Sequence, residues 1–310
     1  MKLLICYLTD FNRHFTFKHY INLLSRSIKK NDWTIMILTH THDNDFYIDI
    51  LKNSGINFET INVSPDNNYL KKVNYAVSYA SANNIPYIMK CDNDIFLKGE
   101  TLDYMIDNLH LLDTKQYITL SPVLSSGIPS VEYFKDQFLD ENAKNELDAL
   151  FLKSIFYDRD GASYTFLNKY TLESDKWNRD DFFEGVSKMS HYYKGIHPIR
   201  INYDALTFLN KYIIGNKEKF MENKNMNIIY DNKSPYLCNS IFCITTETYS
   251  KILNKTLYVD MYDEVPLNKY AWINNMTHLF VENGFAIHMF YNWFSDHLSQ
   301  EQTFCNLFFS

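Results

Sequence analysis

Cysteine is scarce and scattered. Cys6, Cys91, Cys238, Cys243 and Cys305 are odd in number, widely spaced and without a CxxC pair. That pattern argues against a disulfide framework or a cysteine zinc site and fits reduced thiols in a cytosolic setting. Long apolar runs are also missing. None approaches the ~20 residues that span a bilayer, and the opening Met1-Lys2-Leu3-Leu4-Ile5-Cys6-Tyr7-Leu8 is too short for a secretory signal. The expectation is a soluble, cytoplasmic protein without a transmembrane segment, with peripheral attachment to a membrane left open. Positive charge is in deficit, at a net −7 and a pI near 5.8. Nucleic acid is therefore not an expected partner, although a local basic cluster stays compatible with these values. No linker rich in Gly or Ser interrupts the chain, and no internal repeat is evident.

What is present suits a folded α/β protein. The 310 residues are 46% hydrophobic and 22% charged, which excludes general disorder. Aromatics reach 16%, with 24 Tyr and 23 Phe. Compositional bias accounts for that content as well as stacking platforms for sugars or bases do. Apolar runs at 3–8, 33–38 and 87–91 read as strands, and 58–63 looks like another. Between them, 15–28, 45–53 (stopped by Gly55) and 69–82 carry helical spacing. This alternation predicts a mostly parallel sheet flanked by helices. Further on, 102–112 reads as a helix and 116–122 as a strand. Residues 131–156 read as helical and 174–195 as polar, charged and aromatic. Then come a strand at 239–244, helices at 246–253 and 264–275, and a final strand at 286–290.

The run Tyr87-Ile88-Met89-Lys90-Cys91 stops at Asp92-Asn93-Asp94. Two carboxylates at the end of a strand offer hard oxygen ligands where an open α/β sheet binds its ligands. Mg²⁺ or Mn²⁺ takes one or two such ligands and leaves its other positions to water or a diphosphate. The same triplet type occurs at Asp43-Asn44-Asp45, after His40 and His42. That copy reads either as a transition-metal site or as a polar loop with Asp45 capping a helix.

Context separates the two copies. Lys71-Lys72-Val73-Asn74-Tyr75-Ala76, then Ala80, then Tyr87 to Asp94 resembles glycosyltransferases of the GT-A fold. Those enzymes carry a basic residue and an Asn on the helix before a strand that ends in Asp-x-Asp. The resemblance covers residues 1–122 well and 235–295 moderately. It implies a UDP- or GDP-linked nucleotide-sugar donor, with Mn²⁺ or Mg²⁺ held against its diphosphate. Asp94 would be the direct metal ligand, and Asp92 would reach the ribose or the metal through water. Thr9, Asp10 and Asp43 would lie near the nucleoside, and Lys72 and Asn74 on the donor side.

Two later stretches extend the resemblance. In Tyr262-Asp263-Glu264-Val265-Pro266-Leu267-Asn268, an acidic pair is followed by a Leu, as in inverting family members, where the pair stands at a helix start below the acceptor. The resemblance makes Glu264 the general base. The family order is Glu-Asp and this chain has Asp-Glu, so Asp263 is the other candidate. The same residues also suit a helix N-terminus, where carboxylates offset the macrodipole. His288, in Phe285-Ala286-Ile287-His288-Met289-Phe290, would be an additional metal ligand. A buried structural His is its other reading, and His297 is an alternative ligand. Trp177, Asp180, Asp181, Tyr192, Tyr193, Trp272, Tyr291 and Trp293 are candidates for the acceptor side.

The organisation expected is a nucleotide-sugar-binding half at 1–124, a mainly helical insertion at 125–234, and an acceptor-side half of the same domain at 235–310. The reaction expected is sugar transfer to a hydroxyl of a glycan, glycolipid or glycoprotein, with inversion. A phosphotransferase of the haloacid dehalogenase type also uses Asp-x-Asp, but on its first strand. A sugar-nucleotide pyrophosphorylase wants a Gly-rich loop after that strand, where Thr9-Asp10-Phe11-Asn12-Arg13 has no Gly. A non-catalytic carbohydrate-binding module would usually be all-β.

Overall fold

The computed structural model describes residues 1–9, 11–40, 44–62, 68–127, 129–152, 155–157, 163–165, 199, 202–222, 224–231, 237–238, 240–254, 264–291 and 296–310. The first half alternates strand and helix. In order come β1 (Leu3–Leu8), α1 (His14–Leu24), β2 (Trp33–Thr39), α2 (Asp45–Ser54), β3 (Phe58–Asn62), α3 (Tyr69–Ala82) and β4 (Tyr87–Asp92). β5 (Ile95–Leu97), α4 (Gly99–Asn108) and β6 (Tyr117–Leu124) follow.

Local chemistry sets several boundaries. Gly55 ends α2 at φ +67°, a left-handed position that glycine takes without steric cost. The Asn68 side chain caps α3 by accepting from the Lys71 N–H at 3.0 Å. Gly99 opens α4 because nothing larger fits there. A Cβ on Gly99 would lie 2.3 Å from the Ser27 nitrogen and 2.7 Å from the Arg26 carbonyl carbon. One turn later, Asp103 accepts from the Ile28 N–H at 2.9 Å and the Ser27 hydroxyl at 2.5 Å, which locks that crossing.

Residues 125–234 contain α5 (Ser130–Phe138), α6 (Glu141–Leu152), β7 (Ile155–Tyr157), β8 (Ser163–Thr165), α7 (Tyr203–Gly215), α8 (Lys217–Met221) and β9 (Asn227–Asp231). The apolar stretch 131–156 is thus two helices and the start of a strand. Asp140 divides the helices, and its carboxylate accepts from the Ala143 N–H at 2.9 Å. β7 and β8 form a small antiparallel sheet of their own. The last part of the chain holds β10 (Ile241–Thr245), α9 (Thr246–Asn254), α10 (Glu264–Ile273), β11 (Thr277–His288) and α11 (His297–Phe308).

The main sheet has the order β3-β2-β1-β4-β10-β6-β11-β5, with β9 also on β11. β1, β2, β3, β4, β6 and β11 run one way, while β5, β9 and β10 run against them. This is the mostly parallel sheet flanked by helices that the strand–helix alternation predicts. β1, β2 and most of β4 are buried, which explains why they read as unbroken apolar runs rather than alternating ones. Phe134, Phe138 and Phe220 stack around Phe285, so α5 and α8 pack onto the sheet through aromatic faces.

β11 is longer than its apolar end suggests. It begins at Thr277, not at 286, and its register on β6 shifts between Val281 and Phe285. Asn283 sits there at φ +58°. Before this bulge β11 pairs with β9, and after it with β5. Bulges bend a strand and re-aim its side chains. This one carries the end of β11 to the turn that follows β4.

Candidate active site

The Asp92-Asn93-Asp94 turn is fixed from three sides. The Asp92 N–H donates to the Ser240 carbonyl at 3.0 Å, and the Met289 N–H donates to the Asp94 carbonyl at 3.2 Å. From beneath, the Tyr7 hydroxyl donates to the Asn93 carbonyl at 3.4 Å. Each anchor comes from a different element, so the turn exists only in the folded chain.

His288 is the last residue of β11 and stands opposite Ile95 in the β5 pairing, one residue past Asp94. Its Nε2 lies 3.4 Å from Asp94 Oδ2, and both side chains are buried. Ser125 and Ser126 hold the His288 backbone. The His288 N–H donates to Ser125 Oγ at 3.0 Å, and the Ser126 hydroxyl donates to the His288 carbonyl at 2.8 Å. Among the described residues, the buried Nδ1 of His288, the ring nitrogen that does not face Asp94, has no hydrogen-bond partner.

The two carboxyls differ in environment. Burial pushes Asp94 up, but the His288 ring and the Arg13 guanidinium outweigh it and hold the carboxyl well below the usual range. At Asp92, burial outweighs the opposing Lys90 charge, and the carboxyl is raised. Lys90 Nζ lies 2.7 Å from Asp92 Oδ1 and over the Tyr69 ring at 5.4 Å. The two carboxylates, two positions apart in one motif, therefore face different groups, Lys90 and His288.

The Asp94–His288 pair suits a small divalent ion. An octahedral ion with bonds of ~2.1 Å sets adjacent ligands about 3 Å apart, close to the observed 3.4 Å. Among the described residues, no group of three or more His, Cys, Asp or Glu is gathered for a metal. An ion held here would leave most of its positions to water or to a ligand's oxygens.

Glu264 opens α10 and is buried. Asn268, one turn later, ties this helix start to the rim of the site. Its Oδ1 accepts from the Leu237 N–H at 2.7 Å, and its Nδ2 donates to the carbonyls of Leu237 at 3.0 Å and Glu264 at 2.7 Å. Leu237 lies three residues before Ser240, whose carbonyl holds Asp92. Glu264 and Asp92 are thereby connected through a few short steps across 172 positions of sequence. Asn268, Ser125, Ser126 and Tyr7 carry no chemistry of their own, and a motif reading passes over them. Their role appears only with their hydrogen bonds.

The other expected residues are distributed as follows. Thr9 is buried at the end of β1, with Oγ1 3.3 Å from the Tyr47 hydroxyl. Lys72 is buried on the inner face of α3. Asn74 is exposed and lines a groove between α3 and α9 with Ser78, Ser81, Ser250 and Asn254. The helix thus turns Lys72 and Asn74 toward different surroundings. Asp10, Asp43, Asp263, Trp177, Asp180, Asp181, Tyr192, Tyr193 and Trp293 lie outside the described residues. Tyr291 is buried and Trp272 partly so.

No family model matches the chain, and no curated protein matches it. Solved structures do. S. aureus TarS residues 1–349 is similar at a TM-score of 0.32 and 15% identity, over 69% of this chain and 56% of that one. The longer S. aureus TarS structure gives 0.30 and 16%, over 40% and 22%. A cytidylyltransferase from Leptospira borgpetersenii serovar Hardjo-bovis gives 0.31 and 16%, over 48% and 63%. The chain thus spans less than two thirds of each of these relatives. Among the described residues, no helix is long and apolar enough to cross a membrane.

Proposed function

We propose that this protein is a metal-dependent glycosyltransferase. It moves a sugar from a UDP- or GDP-linked donor to a hydroxyl of a glycan, glycolipid or glycoprotein, with inversion. The observation that carries this reading is the buried Asp94–His288 pair, with 3.4 Å between Oδ2 and Nε2, at the carboxyl end of the parallel strands. In an open α/β sheet that edge is where ligands bind.

In this reading residues 1–124 form the donor half, 235–310 the acceptor side, and 125–234 an insertion. Asp94 and His288 would hold Mn²⁺ or Mg²⁺, and Asp92, steered by Lys90, would stand toward the nucleoside. The ion would offset the charge that develops on the departing nucleoside diphosphate. Thr9, Asp10, Asp43, Lys72 and Asn74 are the further donor contacts proposed. Glu264, with Asp263 as the alternative, takes the acceptor hydroxyl proton as that oxygen bonds to the anomeric carbon. The bond from that carbon to the diphosphate oxygen breaks with its electron pair, and attack from the opposite face inverts the configuration. The haloacid dehalogenase alternative is weakened by the motif's location, since Asp92 ends β4 in mid-sheet rather than the first strand.

The test is a thermal-shift screen of UDP- and GDP-sugars with Mn²⁺, paired with an assay for donor hydrolysis. A donor at a hundred times its Kd adds about 2.7 kcal/mol to stability. A protein that no donor stabilises, and that hydrolyses none, is not this enzyme.

A further inference from the structure

The proposed reaction draws nothing from α7, yet this helix of the insertion reaches the exit of β11. Tyr203, Thr207 and Asn210 fall on one face of α7, at i, i+4 and i+7. The Tyr203 ring lies 6.1 Å from the Tyr291 ring, and the Tyr203 hydroxyl donates to Asp296 at 3.1 Å. Asn210 is buried, and its Nδ2 donates to the Met289 carbonyl at 3.3 Å. The N–H of the same Met289 donates to the Asp94 carbonyl at 3.2 Å, and His288 is the residue before it. The residue after it, Phe290, is buried at φ +49°, with its ring 4.9 Å from that of His288. A bulky side chain in the left-handed region is strained, and such a conformation persists only where its surroundings enforce it.

We infer that Asn210 is a positioning residue, which braces the strained Met289–Phe290 corner and so keeps Asp94 and His288 placed to hold one cation. Stability alone is a poor reason for an amide here. Nδ2 must face the Met289 carbonyl, because a carbonyl only accepts. Oδ1 is then left over. Among the described residues it is buried without a hydrogen-bond partner, as is the Thr207 hydroxyl. Burial pushes the Tyr291 hydroxyl's pKa up and these two side chains pull it back, so Tyr291 is their neighbour, but not in hydrogen-bonding geometry. One bond of 3.3 Å set against one buried orphan oxygen leaves little net gain. A leucine has nearly the same shape and carries no orphan. What it lacks is a donor for the Met289 carbonyl.

The consequence for the cation rests on the metal reading above, but the first readout needs no metal. Native-state hydrogen exchange follows the Met289 amide, whose bond to Asp94 closes the corner. Calorimetry follows Mn²⁺ binding without any donor, and thermal unfolding is recorded in parallel. Asn210→Leu replaces one orphan acceptor with another, so its unfolding midpoint should stay within about 3 °C of native. Its Met289 amide should exchange at least about fivefold faster while the β1 amides keep their native rates. Strain at a left-handed aromatic residue shifts a local equilibrium by roughly 5- to 150-fold. Mn²⁺ affinity should fall by the same factor, since only the ordered fraction binds. Thr207→Val removes the other orphan oxygen and no bond, and should leave exchange and affinity within about twofold of native. A purely structural Asn210 gives a lower midpoint with native exchange at Met289 and native Mn²⁺ affinity, and that pattern overturns the inference. Faster exchange with native Mn²⁺ affinity overturns it too, as does a Thr207→Val that loosens the corner as much as Asn210→Leu. Should Asn210→Leu fail to fold, Asn210→Ala, which breaks the same bond without added bulk, decides by the same readouts. If the native protein binds no Mn²⁺, the metal reading falls, and exchange at Met289 still decides whether Asn210 braces the corner. Native binding that Asp94→Ala abolishes and Asn210→Leu leaves intact refutes only the role of Asn210.

Discussion

Asn268 gives the most direct test of how the site is assembled. Its amide faces Leu237 as one strand residue faces another, accepting from that N–H and donating to that carbonyl. Both residues are buried. Asn268→Ala would leave the Leu237 N–H and C=O without these partners in a place water does not reach. Each buried polar group left unsatisfied costs about 1–3 kcal/mol, so the loss should be about 2–5 kcal/mol. The Glu264 carbonyl adds little, because the helix supplies it with another donor. Asn268→Asp should be at least as harmful. The carboxylate still accepts from Leu237 N–H but sets a charge against two carbonyl oxygens. Urea unfolding followed by tryptophan fluorescence should show a lower midpoint at an unchanged slope, the signature of lost stability rather than a changed denatured state. Under native conditions, turnover should fall further than the folded fraction accounts for, since the start of α10 is no longer tied to the Asp92 rim. A stability loss below about 1 kcal/mol for Asn268→Ala would refute the reasoning, because it would mean that the Leu237 groups find other partners.

Asp94→Ala should abolish Mn²⁺-dependent donor binding in a protein that still folds; an unchanged donor affinity would remove its assigned role. Glu264→Gln should keep donor binding and cut turnover by about 10²- to 10⁴-fold, and near-normal turnover would move the base to Asp263. Gly99→Ala should destabilise by about 2–3 kcal/mol, because its Cβ meets the Ser27 and Arg26 backbone rather than a yielding side chain; unfolding within 0.5 kcal/mol of native, a roughly neutral surface value, would contradict that crossing. His278 is buried beside Thr119 Oγ1 at 2.8 Å, and burial lowers its pKa to about 3. The unfolded chain therefore takes up a proton below about pH 6.5 that the folded one refuses. Stability should fall as pH drops from about 6 to 4, by up to about 1.4 kcal/mol per pH unit from this group, and His278→Gln should flatten the slope by that amount.

β1, β2 and most of β4 are legible because they are buried on both sides and written almost wholly in apolar residues. β1 lies at Leu3–Leu8 and α3 at Tyr69–Ala82, as their patterns predict. Where one face is polar the pattern failed. β9 and the first half of β11 carry Asn227, Tyr230, Asp231, Thr277, His278 and Glu282 among their apolar positions, and neither stretch reads as a strand. α7 and α11 were likewise passed over, and α11 is the helix that brings Glu301 to Arg13.

The sequence by itself determined that Asp92 and Asp94 close a buried strand, because a carboxylate cannot continue an apolar run and must fall at the sheet edge. It also determined the class of sheet, through alternating apolar periods. Only the tertiary structure decided what those carboxylates face. Asp94 meets His288 because a bulge at Asn283 turns β11 onto β5. Asp92 meets Lys90, and Arg13 pairs with Glu301. These are contacts between residues up to 288 positions apart. Local propensity has no term for them, since they depend on how pairing register and packing bring distant side chains into one low-dielectric space.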